Sequence, residues 1–150
     1  MRELILLRHA HAEPATPGQA DLDRPLSPVG LAEAEAAGKW LKEMCSPARR
    51  TRETLEAVLG TIGYVEKRLE DRIYEATPGT LAALVDDRRD LDRVLIVGHN
   101  PGLERLVALM TEGTSSDYRG MPPAGIAVLG FPREASIEPG VASLNAFWWP

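Results

Sequence analysis

Two short segments made only of apolar residues, at positions 4–7 and 94–97, most constrain how this chain can fold. Runs of four apolar residues are short for a helix and are typical of parallel strands buried on both faces. Helical patterns occupy much of the sequence between and after them. Since strands that alternate with helices form a mostly parallel sheet covered on both faces, we expect a three-layer α/β/α sandwich.

One start signal, a capping residue followed by proline, predicts four helices. A Ser, Thr or Asn side chain can accept a hydrogen bond from a free N–H of the first turn, and proline is tolerated at the first helical position. The signal occurs at Ser27-Pro28, Ser46-Pro47, Thr77-Pro78 and Asn100-Pro101.

The helix that starts after Ser27 is predicted to run to about Met44. Its buried face is predicted to carry Leu31, Ala34, Leu41 and Met44. Further strands are expected near residues 64–69, 126–129 and 143–149, and loops at residues 14–26 and 113–124, which are rich in Gly, Pro and polar residues.

The composition is that of a soluble globular protein, with 44% hydrophobic and 26% charged residues. A length of 150 residues predicts one domain, residues 1–150. The net charge of −5 argues against a broad surface for nucleic acid or anionic membranes. The single cysteine cannot form an internal disulfide, and no apolar run approaches membrane-spanning length. We therefore expect a cytoplasmic protein.

Basic residues gather where the predicted strands end and helices begin. Arg8-His9 follows the first apolar run, His99 follows the second, and Arg50 lies near a predicted helix start. Ligands of open α/β sheets bind outside the carboxyl ends of the strands, and helix N-termini favour anions. Each cluster alone has a plain structural explanation. Together, in an acidic chain, they predict a focused site for a phosphoryl group.

Three motifs in this order resemble the signatures of the histidine phosphatase superfamily, whose fold is called phosphoglycerate mutase-like. They are Leu-Leu-Arg8-His9-Ala10, Ser46-Pro47-x-x-Arg50-x-x-x-Thr54 and Val97-Gly98-His99-Asn100. The small size and the segments Arg24-Pro25-Leu26-Ser27-Pro28-x-Gly30 and Gly-His-Asn-Pro-Gly-Leu are similar to its SixA-type phosphohistidine phosphatases. Ala10 departs from the pattern, which commonly has Gly there.

The resemblance implies a role for each matching residue. His9 would be the nucleophile, and Arg8, Arg50 and a protonated His99 would bind the phosphoryl group. Arg24 is a further candidate for substrate contact. Glu75, just before a predicted helix, is the candidate general acid, although a solvated loop carboxylate explains it equally well. With this many cationic donors, we expect no metal and no cofactor.

The substrate that the resemblance implies is phosphohistidine in a protein, such as a histidine phosphotransfer domain. A small phosphate ester is the alternative substrate, and a non-catalytic phosphate-binding module is the alternative of another class. The chain leaves little length for a lid, and an open site suits a phosphorylated protein side chain. We expect a monomer with no nucleic-acid or membrane partner.

The residues argue against two other kinds of site, a metal centre and a cysteine phosphatase. His9-x-His11 could be a metal-binding pair, but no metal motif such as His-Glu-x-x-His or paired cysteines accompanies it. A cysteine phosphatase would need arginine six residues after Cys45, where Thr51 stands. Cys45 is therefore interpreted as a small apolar residue.

One segment conflicts with the family pattern. Members of the superfamily usually have a strand between the first helix and the Ser-Pro motif, and residues 42–45 are too few for both a helix end and a strand. Either the strand is deleted or residues are missing from the sequence. We favour missing residues, because loss of a central strand would expose the edges of its neighbours.

Overall fold

The computed structural model describes residues 2–37, 44–45, 49–50, 53–54, 57, 69–114 and 120–150. Its strands form one five-stranded sheet of order β2-β3-β1-β4-β5. The strands are β1 (Arg2–Arg8), β2 (Met44–Cys45), β3 (Arg93–Gly98), β4 (Ile126–Phe131) and β5 (Ser143–Trp148). The expected strands at residues 4–7, 94–97, 126–129 and 143–149 are all present.

The sheet is mostly parallel, as expected. Strand β3 runs parallel to β1 and to β2, whereas β4 runs antiparallel to both β1 and β5. Four of the five strands therefore share one direction, and only β4 opposes them. Arg8 is paired with Gly98, so β1 and β3 end side by side.

Three helices have described bounds: α1 (Pro28–Ala37), α2 (Pro78–Asp86) and α3 (Gly102–Glu112). Two predicted caps are confirmed: Gly30 N donates to Ser27 Oγ at 3.0 Å, and Thr80 N donates to Thr77 Oγ1 at 3.2 Å. Asn100 also caps through its side chain, which accepts from the N–H of Glu104 at 3.2 Å. However, α3 begins at Gly102, one residue later than the Asn-Pro signal predicts.

The remaining predicted elements are described only in part. Helical backbone is present at residues 49–50, 53–54 and 57, whereas the predicted helix start at Ser46-Pro47 lies outside the described residues. Residues 64–68 of the expected strand at 64–69 also lie outside them.

Alternating side chains of the central strands fill two separate cores, one on each side of the sheet. On one side, Leu4, Leu6 and Ile96 pack with residues of α2 and α3. On the other, Ile5 and Leu7 pack with small residues of α1. The three-layer α/β/α sandwich is thus confirmed. Within the described ranges, no helix has the length and apolar character needed to span a membrane.

The extent and buried face of α1 differ from the sequence prediction. Leu31 is 43% exposed, and the buried residues of α1 are Gly30, Ala34 and Ala37. Of the predicted face, Ala34 is buried as expected, Met44 lies in β2 and not in the helix, and Leu41 lies outside the described residues. The periodicity argument failed because small residues allow α1 to lie close to the polypeptide after β1: a Cβ on Gly30 would be 2.0 Å from the carbonyl oxygen of His11.

The short strand β2 corrects the expectation that residues 42–45 leave no room for a strand. Met44 and Cys45 pair in parallel with Ile96 and Val97 of β3. Two residues are enough because the helix predicted to reach Met44 does not occupy them. The premise for missing residues, that the strand is absent, therefore does not hold.

Gly30 provides a test of this close packing. We expect Gly30→Ala to lower the free energy of unfolding by about 2 kcal/mol or more, because the added methyl group overlaps the His11 carbonyl. Urea denaturation followed by circular dichroism measures the change.

Gly79→Ala is the matched control, since its Cβ would meet only Thr77 Oγ1, at 3.9 Å. Alanine is favoured over glycine within a helix, so this variant should be neutral or slightly stabilising. Equal destabilisation by both substitutions would contradict the packing argument.

Candidate active site

The ends of β1 and β3 bring two histidines together. His9 and His99 each follow a strand, and their ring centroids lie 5.2 Å apart in an edge-to-face arrangement. The backbone N–H of His9 donates to the carbonyl oxygen of Gly98 at 2.9 Å. This bond extends the β1–β3 pairing by one residue, so parallel pairing itself places the two rings next to each other.

The guanidinium group of Arg50 joins both histidines. Its Nε donates to His9 Nε2 at 3.4 Å, and its NH2 group donates to His99 Nδ1 at 3.2 Å. Arg50 is only 6% exposed. The structure therefore brings three of the predicted site residues into direct contact, although Arg50 lies far from both histidines in the sequence.

Thr54 connects the helical backbone around Arg50 to the end of β1. Its hydroxyl donates to the Arg50 carbonyl oxygen at 2.8 Å and accepts from the N–H of Ala10 at 3.2 Å. Thr54 is fully buried. The spacing of four residues between Arg50 and Thr54 thus has a physical role: one residue reaches the histidines, and the other holds the helix against the strand end.

Hydrogen bonds determine which nitrogen of His9 carries the proton. Nδ1 lies 2.8 Å from the carbonyl oxygen of Ala10, which can only accept, so Nδ1 is the protonated nitrogen. In the neutral ring, the lone pair is then on Nε2, which faces Arg50. By the same reasoning His99 Nδ1 accepts from Arg50, and the proton of its neutral ring is on Nε2.

Both rings are neutral near pH 7. Burial is the main cause that lowers the pKa of His9 to about 4; the positive charge of Arg50 acts in the same direction, and the hydrogen bond to Ala10 opposes both. Burial likewise lowers the pKa of His99 to about 3, with His9 and Arg50 adding to the effect. Burial and the adjoining charges therefore favour a neutral His99 in this arrangement, and its protonation beside a bound phosphoryl group stays a prediction.

Asp21 and Tyr74 are site residues that the sequence analysis missed. Asp21, in the 3-10 turn Asp21–Asp23, contacts Arg50 through its carbonyl oxygen at 3.0 Å and its carboxylate at 3.4 Å. The hydroxyl of Tyr74 donates to the same carboxylate at 2.5 Å, and the Tyr74 ring packs edge-on against His99. The hydrogen bonds from Tyr74 and Arg24 lower the pKa of Asp21 to about 2. In the sequence, the one indication that Asp21 belongs to the site was its position close to the motif Arg24-Pro25-Leu26.

A pocket of about 590 Å³ opens over the two histidines. It contains the remaining predicted residues and one cation that the sequence analysis missed, Arg105 of α3. The residues with ionisable side chains that line it are Arg8, His9, Arg24, Arg50, Glu75, His99 and Arg105. Four arginines with neutral histidines and one carboxylate make the lining strongly positive in a protein whose net charge is −5.

The other predicted residues take separate places on the pocket wall. Arg8 donates to the Met121 carbonyl oxygen at 2.7 Å, and its buried Nε meets no acceptor among the described residues. Arg24 is fixed by bonds to the Glu13 carbonyl oxygen and the Asp21 carboxylate. Glu75 is exposed at the rim, in a left-handed backbone conformation with φ of 54° that non-glycine residues rarely adopt.

His11 does not join the pocket lining. Its Nδ1 lies 2.7 Å from Ser27 Oγ, on the side of the chain where α1 begins. The two histidines of the His-x-His pattern therefore face different surroundings. Within the described ranges, no three His, Cys, Asp or Glu side chains converge as a metal-binding group.

The family model of the histidine phosphatase superfamily (branch 1) matches residues 4–92. An uncharacterised protein of Mycobacterium tuberculosis strain H37Rv is 36% identical over an alignment 158 positions long, gaps included, which covers 93% of this chain and 98% of the relative. That alignment is longer than the 150 residues of this chain, so the relative has residues that this chain lacks.

Solved structures share the fold over nearly the whole chain. A candidate phosphohistidine phosphatase SixA from Agrobacterium tumefaciens superposes with a TM-score of 0.82 at 30% identity, covering 99% of this chain and 98% of its own. A more distant structure, the mycobacterial glucosyl-3-phosphoglycerate phosphatase, has a TM-score of 0.72 at 18% identity and covers 97% of each chain. The second similarity concerns the fold alone.

The hydroxyl of Thr54 offers a test of how the site is assembled. Thr54→Val keeps the side-chain shape but leaves the buried N–H of Ala10 without its acceptor. We expect the free energy of unfolding to fall by about 1–3 kcal/mol. Thr54→Ser, which retains the hydroxyl, should lose less. A valine variant as stable as the wild type would show that the Ala10–Thr54 bond contributes nothing.

The low pKa values of His9 and His99 predict a pH-dependent stability. Their pKa values are about 4 and about 3 in the folded protein, against 6.5 for an ordinary histidine. Because the unfolded chain binds protons first as the pH falls below 6.5, the free energy of unfolding should decrease between pH 6.5 and pH 5. Each histidine contributes up to about 1.4 kcal/mol per pH unit.

Urea denaturation at pH 7.5, 6 and 5 measures this slope. The double variant His9→Gln/His99→Gln is the control, since it removes both groups while keeping side chains that can hydrogen-bond. Its slope should be flatter than that of the wild type. Identical slopes would place the titrating groups elsewhere in the protein.

Proposed function

The chain belongs to the histidine phosphatase superfamily, and we propose that it is a phosphatase that forms a phosphoenzyme on His9. The observation that carries this proposal is the state of the His9 ring. Nδ1 donates to a backbone carbonyl, burial keeps the ring neutral, and the lone pair on Nε2 faces the buried cation Arg50. A neutral imidazole whose Nε2 lone pair is engaged only by the long, 3.4 Å hydrogen bond from Arg50 can exchange that bond for nucleophilic attack on phosphorus.

In the first step, His9 Nε2 attacks phosphorus in line with the bond to the leaving group. The new N–P bond forms as that bond breaks, and the leaving group departs with the electron pair. We assign the guanidinium groups of Arg8 and Arg50, which line the pocket, to hydrogen bonds with the equatorial oxygens. Arg8 Nε is a buried donor without an acceptor in the described part of the chain, and a phosphoryl oxygen would supply one.

We assign His99 to hydrogen-bond a phosphoryl oxygen, a role that a neutral ring can also fill. A phosphoryl dianion in the pocket would oppose the effects of Arg50 and burial, and so would raise the pKa of His99. His99 is neutral with its proton on Nε2, and this N–H can donate to a phosphoryl oxygen in either charge state.

In the second step, water attacks the phosphorus of the phosphoenzyme. The N–P bond breaks, its electron pair returns to His9 Nε2, and inorganic phosphate is released. Glu75 at the pocket rim is the residue that we assign to proton transfer. Its left-handed backbone conformation carries a local energetic cost of the kind that is concentrated at active sites.

The substrate that we favour is phosphohistidine in a protein. A protonated imidazole leaves more easily than an alkoxide, so this substrate depends least on a strong general acid. The similarity to the candidate SixA phosphatase, at 30% identity over nearly the full length of both chains, supports the same choice. A small phosphate ester is the alternative within the superfamily, and the fold is also that of a glucosyl-3-phosphoglycerate phosphatase.

The variant His9→Ala tests the mechanism. We expect it to reduce kcat by about 10³-fold or more, because the covalent intermediate cannot form. Rapid quenching with a ³²P-labelled phosphohistidine protein should trap an acid-labile, alkali-stable phosphoenzyme on the wild type only. His11→Ala is the matched control, since His11 is a neighbouring histidine outside the pocket, and it should keep its activity.

Substrate preference separates the alternatives. Phosphohistidine protein, phosphoramidate and a set of phosphomonoesters are compared by kcat/KM. A higher value for the esters would overturn the assigned substrate while leaving the mechanism intact. Phosphate binding without turnover of any substrate would identify a binding module, and full activity of His9→Ala would contradict the mechanism itself.

A further inference from the structure

A second cavity, of about 820 Å³, adjoins the catalytic pocket on the other side of Arg8. The two cavities share Arg8, Asn100 and Pro101. Arg8 and Asn100 both donate to the carbonyl oxygen of Met121, at 2.7 and 3.0 Å, so the boundary between them is held by hydrogen bonds. We call this cavity the aromatic groove, lined by Glu104, Met121, Pro122, Phe147 and Trp149 in addition to the shared residues.

The groove has an aromatic wall that the proposed chemistry does not use. Phe147 is the last but one residue of β5 and Trp149 directly follows the strand, and their rings pack edge to face with centroids 5.7 Å apart. Trp149 is 54% exposed, although tryptophan is usually well buried. Tryptophan is also enriched among the residues that dominate binding energy at protein interfaces.

The groove carries one cationic and one acidic side chain. Among the described lining residues, the ionisable ones are Arg8, at the boundary with the catalytic pocket, and Glu104, in the first turn of α3. Glu104 forms no ion pair with any residue in the described ranges. Glu104 also interacts electrostatically with Arg8, so a basic side chain fits the groove at Glu104, whereas the rest of the lining suits apolar side chains.

We propose that the aromatic groove binds the polypeptide segment that flanks the phosphorylated residue of a protein substrate. An apolar side chain of that segment packs on Trp149, and a basic side chain lies near Glu104. This inference rests on the proposed function. The catalytic pocket has a volume suited to a phosphorylated side chain, and the groove shares Arg8, Asn100 and Pro101 with it, so the polypeptide next to that side chain would lie against the groove.

The test compares a phosphohistidine peptide that has leucine and lysine beside the modified residue with free phosphohistidine, which cannot reach the groove. For Trp149→Ala, we expect KM for the peptide to rise about tenfold, with kcat unchanged. Its kcat/KM for free phosphohistidine should stay at the wild-type value. Leu69→Ala is the matched control, because Leu69 is 52% exposed and does not line the groove.

A second variant tests the charge without removing an aromatic ring. Glu104→Lys should raise KM for the lysine-containing peptide more than for a peptide with glutamate at the same position. Thermal unfolding of each variant is measured in parallel, so that loss of structure is not mistaken for loss of binding.

The outcomes separate this inference from the proposed function. If the wild type hydrolyses neither substrate, the proposed function fails. If it hydrolyses both and Trp149→Ala leaves the peptide-to-amino-acid ratio of kcat/KM unchanged, the inference about the groove is wrong. An equal loss for both substrates would also overturn it, since the groove would then act on the reaction and not on the flanking chain.

Discussion

Arg50 places a positive charge at a position that is almost inaccessible to water, and the rest of the site is arranged around that charge. An unpaired buried cation would be strongly destabilising, so its donors need acceptors. They find them on both histidines and on two oxygens of Asp21. Because a guanidinium group only donates, each imidazole must present a lone pair to it. The same contact that satisfies the arginine therefore sets the tautomer of both rings and disfavours their protonation.

The scaffold that makes this contact possible is the pairing of β1 with β3. Parallel strands that end in register deliver the residues after them to one edge of the sheet. Thr54 then holds the helical backbone that carries Arg50 against the end of β1. Three segments that are distant along the chain thus meet through one sheet register, one buried hydroxyl and one guanidinium group. These few contacts are enough for a chain of 150 residues to assemble a cationic pocket.

The sequence predicted the parts of the fold that depend on local pattern. Buried strands followed from uninterrupted apolar runs, and the caps at Ser27 and Thr77 followed from residue chemistry. The prediction for α1 failed because hydrophobicity favoured Leu31, whereas close approach to the His11 carbonyl required small residues such as Gly30. The two-residue strand β2 was missed because so short a segment has no periodicity of its own. Only its pairing with β3 defines it.

For the site, the sequence by itself determined which residue types were available and where they lay: Arg8, His9 and His99 at strand ends, and Arg50 near a helix start. It could not determine their charge states, because a pKa depends on burial and on neighbours brought in from elsewhere in the chain. Nor could it reveal Asp21, Tyr74 or the aromatic groove beside Arg8, since their proximity is a property of the folded loops. The residue types of the site can be taken from the sequence, whereas the distances between their charges are set only when the sheet and its helices pack together.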